Sequence, residues 1–164
     1  GMLLVAALPF AGWRKAGLTF RQAPGAWLAW AVLAVVVGVA FYFAYTSGDG
    51  KPSPAETIAF QWTMPSLDEE IYYRGVMLLF LDRAFAPASR LIGAPLGWGA
   101  LVSSLMFGLT HGLGVSDGGV SFDAFYFGWT FLLGAFFVWL RARTGSILAP
   151  LAGHSFGNGL FTLF

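Results

Sequence analysis

Three short groups of polar residues in this chain could carry out chemistry, and each lies in or beside an apolar stretch. The first is Glu69, Glu70 and Arg74 in the segment SLDEEIYYRG, and the other two surround the chain's two histidines, His111 and His154. A charged side chain at the centre of a bilayer costs about 2.5–3.5 kcal/mol on insertion scales, so it needs a partner or a function there. Because a histidine in hydrocarbon also needs a hydrogen-bond partner, we expect the three groups to meet in one site.

The acidic group predicts one ion pair and one spare carboxylate. Glu70 and Arg74 are four residues apart, so on a helix they share a face and can pair. Glu69 points about 100° away from that face and, in apolar surroundings, would be free to act as a general base. A structural role is the simpler alternative, because Ser66 and Glu69 form an S-x-x-E capping box directly after Pro65.

Each histidine has a notable neighbour one helical turn away. Phe107 precedes His111 by four residues, and Asn158 follows His154 by four residues. A single intramembrane histidine often serves only to hold two helices together by a hydrogen bond. A His and an Asn on one helix face both need partners in hydrocarbon, and the acidic group is the nearest candidate.

The segment around His154 also favours close helix packing. Pro150 has no backbone N–H, which leaves the carbonyl of Ser146 without its helical donor. Gly153 and Gly157 form a GxxxG face, which lets another helix approach closely. We expect this packing to bring His154 near the acidic helix.

These residue types suit the activation of water for attack on a carbonyl group. Glu69 would take the proton, one histidine would orient the water, and the second histidine with Asn158 would donate hydrogen bonds to the developing oxyanion. Alternatively, Glu69, His111 and His154 are a sufficient zinc set with water in the fourth position. The chain has no HExxH motif, and Asn is an unusual zinc ligand, so we favour the reaction without a cofactor. A serine nucleophile is less favoured because GxSxG is absent, although Ser155 beside His154 stays open.

Composition indicates a membrane protein. The 164 residues are 57% hydrophobic and 10% charged, whereas soluble domains carry roughly 25% charged residues. A net charge of +1 excludes an electrostatic attraction to nucleic acid, and the absence of cysteine excludes a disulfide framework or a thiol nucleophile. We predict an all-α fold, a polytopic membrane helix bundle of about five to six transmembrane helices, since each span takes roughly 20 residues.

The apolar segments and the basic residues together predict a path through the membrane. The expected membrane segments are residues 26–47, 57–81, 91–110, 121–140 and 144–164, and residues 2–13 are expected to be part of a further helix. Seven of the nine basic residues lie inside if the path alternates. It then places 14–25, 82–90 and 141–144 inside, and 48–56 and 112–120 outside.

The order of the motifs resembles a known family. EExxxR at Glu69–Arg74, FxxxH at Phe107–His111 and HxxxN at His154–Asn158 follow one another, each in a membrane segment. This pattern is similar to the CPBP family of intramembrane endopeptidases, which includes the CAAX prenyl endopeptidase and bacterial relatives tied to bacteriocin processing and immunity. The resemblance covers residues 66–160, and residues 1–25 would be a partial N-terminal helix and a cytoplasmic linker of the same single domain, 1–164.

The resemblance implies a site in a cavity between membrane helices. It implies hydrolysis of a peptide bond near the C-terminus of a membrane-anchored or lipidated protein substrate, with the lipid bilayer as the other partner. By position, Glu69 would be the base and His111 would help to activate water. His154 and Asn158 would stabilise the oxyanion, and Glu70 with Arg74 would complete the first motif. No cofactor is favoured, and zinc is the alternative.

Other functions and either orientation stay open on the sequence alone. A non-catalytic membrane immunity or assembly factor is the main alternative, and an ion or proton path is less favoured because no ladder of acids crosses the membrane. A prenyl-protein protease should open to the cytoplasm, whereas the path above suits an outward-facing cavity that removes a sorting segment from an exported protein. High Ala, Gly and Trp content with few Lys residues predicts a bacterial inner-membrane protein.

Overall fold

The computed structural model describes residues 1–116 and 118–164 and is mostly helical. The α-helices, in chain order, are α1 (Met2–Ala7), α2 (Trp27–Ser47), α3 (Ala55–Glu70), α4 (Leu78–Ala84), α5 (Trp98–Gly112), α6 (Ala124–Thr144) and α7 (Leu148–Gly159). A π-helical segment, Ile71–Met77, joins α3 to α4 without a break, and a 3₁₀ turn, Leu160–Thr162, follows α7. The all-α prediction is therefore confirmed in its main feature.

Two short antiparallel hairpins were not predicted. Strands β1 (Ser89–Leu91) and β2 (Ala94–Leu96) form the first, and β3 (Leu113–Ser116) and β4 (Gly119–Phe122) form the second. Between β1 and β2 the chain turns at Ile92 and Gly93, which both have positive φ angles (48° and 79°). Two such residues in succession make the tight turn that matches the twist of paired strands.

Two of the described helices, α2 and α6, are long and apolar enough to cross a membrane. They match the predicted segments 26–47 and 121–140, but a count of five to six transmembrane helices is not confirmed. The predicted segment 91–110 is wrong in its first part, because the β1–β2 hairpin delays α5 until Trp98. Gly145, with a φ of 73°, ends α6 at the start of the predicted segment 144–164. The helix that follows in this segment, α7, has only 12 residues.

The acidic residues lie at the end of α3, in the middle of the continuous helical stretch formed by α3, the π-helical segment and α4, rather than at a helix start. Helix α3 begins at Ala55, so Pro65 and Ser66 lie inside it. The Ser66 hydroxyl donates to the carbonyl of Thr63 (3.0 Å) instead of capping a helix end. The predicted capping box is therefore wrong, and the acidic group needs another explanation.

Successive helices run in opposite directions between two ends of the molecule. At one end, Arg141 at the end of α6 donates to the carbonyl of Lys15 (2.9 Å), and Arg143 donates to that of Pro24 (3.1 Å). At the opposite end, the loop before α3 hydrogen-bonds to the C-terminal residues. The segments that we placed inside are thus together at one end, and which side of the membrane this end faces remains a prediction.

Two glycines of α5 allow this helix to pack closely against α6. A Cβ on Gly108 would lie 3.0 Å from the Phe127 carbonyl oxygen and from Phe131 Cβ, and one on Gly112 would lie 2.6 Å from Phe127 Cβ. These two glycines are a GxxxG pair that the sequence analysis overlooked. Because attraction between helices in lipid comes largely from close packing, this contact is a main support of the bundle.

The predicted Gly153–Gly157 face does not meet the acidic helix. A Cβ on Gly153 would contact α2 and α6, and one on Gly157 would have nothing within 4 Å. Helix α7 approaches α3 through Gly159, which packs directly against the Trp62 indole. The expected approach of α7 to the acidic helix is thus present, but a different glycine allows it.

Pro150 also has a different role from the one predicted. It lies in the first turn of α7, where its missing N–H removes no helical hydrogen bond. The carbonyl of Ser146 accepts a hydrogen bond from the Thr144 hydroxyl (2.9 Å). Pro150 is therefore compatible with the first turn of α7 and does not disrupt the helix.

Replacing Gly112 by Ala should destabilise the fold, because the added methyl overlaps Phe127 of α6. Overpacking of this kind costs about 1–3 kcal/mol. Gly157→Ala is the matched control, since its methyl enters open space and Ala favours a helix over Gly by about 0.5–1 kcal/mol. Thermal unfolding of both variants in detergent should show a lower Tm for the first alone, and equal Tm values would contradict the crossing described here.

Candidate active site

A fully buried ion pair lies at the centre of the site. Glu70 Oε1 accepts a hydrogen bond from Arg74 Nη1 at 2.9 Å, and both side chains have 0% exposure. The predicted i,i+4 pairing is confirmed. Arg74 Nη2 also donates to the carbonyl of Gly134 on α6 (3.4 Å). The centroid of the Phe107 ring, on α5, lies 4.1 Å from Arg74 Cζ.

The π-helical segment begins directly after Glu70 and includes Arg74. Such wide turns often occur at functional sites. The carbonyl of Tyr73 accepts the backbone N–H of Leu78, five residues later, and also the Ser103 hydroxyl of α5 (3.2 Å). The Tyr73 hydroxyl, in turn, pairs with that of Thr110 (2.7 Å). The segment carrying the ion pair is therefore tied to α5, which also carries His111.

His154 is held by the same carboxylate. Its Nδ1 lies 2.9 Å from Glu70 Oε1. Because the Glu70 carboxylate is ion-paired with Arg74, its Oε1 is an acceptor and Nδ1 of His154 is the donor. This bond fixes the orientation of the imidazole and directs Nε2 away from Glu70.

His111 is oriented in an equivalent way by its own helix. Its Nδ1 lies 2.8 Å from the carbonyl oxygen of Phe107, which can only accept, so Nδ1 carries the hydrogen. In the neutral imidazole, Nε2 is then a free acceptor. Phe107 thus supports both Arg74, through its ring, and His111, through its carbonyl.

The two Nε2 atoms converge on one oxygen of Glu69. Glu69 Oε2 is 3.7 Å from His111 Nε2 and 3.9 Å from His154 Nε2. Both distances are longer than a direct hydrogen bond. Among the described residues, this buried oxygen has no hydrogen-bond partner. All three groups line the cavity, so one small polar molecule on that side can hydrogen-bond to the carboxylate and to both imidazoles.

These three side chains open into a cavity of about 850 Å³. Glu69 and His111 are 27% and 24% exposed, and His154 is 7% exposed. Asn158 also lines the cavity, and no hydrogen bond joins its side chain to another residue in ranges 1–116 and 118–164. Most of the remaining wall is apolar and comes from α2, α3 and α6.

The structure divides the six predicted site residues into two sets. Four line the cavity: Glu69, His111, His154 and Asn158. Glu70 and Arg74 are buried behind it and can act only through their neighbours. Ser155 does not line the cavity, and its hydroxyl pairs with that of Ser66 (2.7 Å), which gives no support to a serine nucleophile.

Two aromatic neighbours of the histidines were not predicted. Tyr126 of α6 lines the cavity with its ring centroid 6.3 Å from that of His111, and the Phe137 ring stacks on His154. Neither belongs to a polar motif, so residue type and spacing carried no signal for them. Their positions depend on how α6 packs against α5 and α7.

A metal centre was the alternative reading of this site. Among the described residues, no group of three or more His, Asp or Glu side chains is arranged to hold a metal ion. The side chains considered as zinc ligands, Glu69, His111 and His154, are the ones that converge. The choice between a zinc site and a reaction without a cofactor therefore stays a prediction.

Removing one partner of the buried ion pair should destabilise the protein more than removing both. Arg74→Met leaves Glu70 charged and uncompensated in apolar surroundings, which costs about 3–5 kcal/mol. The double variant Glu70→Gln/Arg74→Met removes both charges and should lose less stability than Arg74→Met alone, and hence less than the sum of the single variants. Unfolding free energies in detergent, analysed as a double-mutant cycle, measure the coupling, and strictly additive losses would show that the pair contributes nothing.

The sequence of this chain also matches a known protein family. Residues 51–160 match the family described as "Type II CAAX prenyl endopeptidase Rce1-like". The matched range contains all three motifs and the whole of helices α3 to α7. Comparisons with curated proteins and with solved structures give no match. The resemblance inferred from the motifs is confirmed: the chain belongs to the Rce1-like family of type II CAAX endopeptidases, which are membrane-embedded proteases.

Proposed function

We propose that this protein is an intramembrane endopeptidase that hydrolyses a peptide bond near the C-terminus of a membrane-associated or lipidated protein. The observation that carries the proposal is the unpartnered Glu69 Oε2 facing two imidazole nitrogens at 3.7 and 3.9 Å in a largely apolar cavity. A water molecule between these groups would have a base and an orienting acceptor beside it. Family membership supports a protease acting on prenylated, membrane-associated proteins.

Glu69 and His111 activate the water. Glu69 accepts one proton as the water oxygen forms a bond to the scissile carbonyl carbon, and the lone pair on His111 Nε2 accepts a hydrogen bond from the other O–H. The carbonyl π electrons move to oxygen and give a tetrahedral oxyanion. When the C–N bond breaks, Glu69 returns its proton to the departing amine.

His154 and Asn158 stabilise the oxyanion. Because Nδ1 of His154 donates to Glu70, Nε2 carries a hydrogen only in the imidazolium form, and the carboxylates of Glu69 and Glu70 together balance the charges of that ring and of Arg74. That Nε2–H and the amide N–H of Asn158 are the two donors available on α7 at the cavity wall. Glu70 and Arg74 are positioning residues, since both are buried and neither lines the cavity.

The reaction that we propose uses no metal. Asn158 is suited to an oxyanion and is an unusual zinc ligand. The alternative uses Zn²⁺ held by Glu69, His111 and His154, which would supply a water of lowered pKa. Sensitivity to chelation separates the two.

Substitutions at the cavity should abolish cleavage without unfolding the protein. Glu69→Gln removes the base and should lower kcat by about 10²–10⁴-fold, and Asn158→Ala removes one oxyanion donor and should lower kcat by about 10²–10³-fold. Gln61→Ala is the matched control, because Gln61 lines the same cavity on the same helix as Glu69. Cleavage of lipidated, membrane-anchored peptides by the purified proteins measures these effects.

The same assay with a chelator separates the metal-free mechanism from the zinc mechanism. A strong chelator should leave wild-type cleavage unchanged, whereas loss with chelator and recovery with zinc would replace the proposed mechanism by the metal one. A Glu69→Gln variant that cleaves at the wild-type rate would contradict the assignment of Glu69 as the base. If a cellular phenotype of the protein persists with Glu69→Ala, the non-catalytic immunity or assembly role is the better account.

We also propose that residues 1–164 form one membrane-embedded domain in a bacterial inner membrane, with the cavity open to the outside. Its wall includes Phe43, Phe60, Tyr126 and Phe161, which lie toward the helix ends that the predicted path places outside. An outward cavity suits the removal of a C-terminal segment from an exported protein.

Single-cysteine labelling tests this orientation, and the chain has no cysteine of its own. A membrane-impermeant maleimide added to intact cells should label Ser116→Cys, on the β3–β4 hairpin. It should not label Ser89→Cys at the opposite end until the membrane is opened. Both positions are exposed in the fold, so they are matched in access. The reverse pattern would place the cavity on the cytoplasmic side.

A further inference from the structure

We propose that Phe137 of α6 is a positioning residue that holds the His154 imidazole and the Arg74 guanidinium in the arrangement needed for hydrolysis. The inference deepens the function proposed above and rests on it. Phe137 belongs to none of the three motifs, and α6 carries no motif residue.

The Phe137 ring lies against both groups. Its centroid is 5.5 Å from that of the His154 imidazole, and the two planes are 20° apart, so the rings are stacked. Arg74 Cζ lies 5.3 Å from the same Phe137 centroid. Phe137 itself is only 5% exposed, so it is a fixed part of the cavity wall.

Phe107 encloses the two groups from another direction. It meets the His154 ring edge-on, at 6.0 Å and 84°, and lies 4.1 Å from Arg74 Cζ. Arg74 Nε is buried and has no hydrogen-bond partner among the described residues. The ring faces therefore supply part of the attraction that a buried guanidinium needs.

The position of the Phe137 ring is determined by two helices. One turn before it, the carbonyl of Gly134 accepts from Arg74 Nη2 (3.4 Å), so α6 touches the guanidinium twice. On α7, a Cβ at Gly153 would lie 3.1 Å from Phe137 Cε1, so the backbone beside His154 rests almost directly on the ring. The ring therefore packs directly against the backbone of the residue next to His154.

Stacking on a flat ring restrains the rotation of the imidazole. One orientation keeps Nδ1 on Glu70 and directs Nε2 toward the space beside Glu69. A leucine at position 137 would fill much of the volume but offer no flat face. A misplacement of about 1 Å in a reacting group can reduce the rate by about 10²-fold.

The first test compares three variants in the peptide cleavage assay. Phe137→Leu should lower kcat by about 10–100-fold, by analogy with the groups that orient metal-bound histidines, with little change in KM. Phe137→Tyr keeps the flat ring and should retain kcat within about threefold of wild type. Phe136→Leu is the matched control, because Phe136 is the adjacent aromatic residue on the same cavity wall. Its ring contacts those of Trp139 and Phe137 but neither Arg74 nor His154, so the variant leaves the Phe137 ring in place.

A second measurement does not depend on activity. The chain has two histidines, so the imidazole ¹⁵N–¹H spectrum of protein labelled at histidine contains two rings, and His111→Gln assigns them. The hydrogen-bonded Nδ1 proton of His154 should be present in wild type, Phe137→Tyr and Phe136→Leu, and should be lost or shifted in Phe137→Leu.

Phe137 has no positioning role if Phe137→Leu keeps the wild-type kcat and the wild-type His154 spectrum. The same conclusion follows if Phe136→Leu loses as much kcat as Phe137→Leu, because the effect would then belong to the cavity wall in general. If the wild type cleaves no peptide, the proposed function fails, and the His154 spectrum still decides whether Phe137 orients the ring.

Discussion

A carboxylate and a guanidinium that are both withdrawn from solvent need every contact that their surroundings can supply. Removing one partner would leave an uncompensated buried charge, so each helix around the Glu70–Arg74 pair is constrained by it. Helix α5 supplies the Phe107 ring, α6 supplies the Gly134 carbonyl, and α7 supplies His154. The pair therefore sets the relative positions of the three helices that, with α3, form the cavity.

The two adjacent acids are separated by helix geometry into two environments. Glu70 faces the interior and is saturated at Oε1 by Arg74 and His154. Each acid has one Oε2 without a hydrogen-bond partner among the described residues, but only Glu69, one residue earlier, lines the cavity. One acid thus orients a histidine while its neighbour stays available for a proton, which is the separation of roles that general base catalysis requires.

Close packing makes this arrangement possible in an apolar medium. Helices in lipid gain little from burying apolar surface against one another, so their association depends on van der Waals contact and interhelical hydrogen bonds. Glycines at Gly112 and Gly159 let α5 meet α6 and let α7 meet α3. The Ser66–Ser155 hydrogen bond, 2.7 Å long, adds a polar link between α3 and α7 directly beside His154.

The sequence by itself determined the features that depend on neighbours along the chain. The Glu70–Arg74 pairing follows from helical spacing, and the order of the three motifs identified the family. Where the outcome depended on distant residues, the prediction failed: an S-x-x-E pattern cannot show that a helix starts eleven residues earlier, and two GxxxG pairs look alike until their neighbours are known. Only the tertiary structure decided which imidazole nitrogen of His154 faces Glu70, 84 residues away, and that Phe137 supports it. The physical reason is that these contacts depend on the rotation and approach of whole helices, which no local spacing specifies.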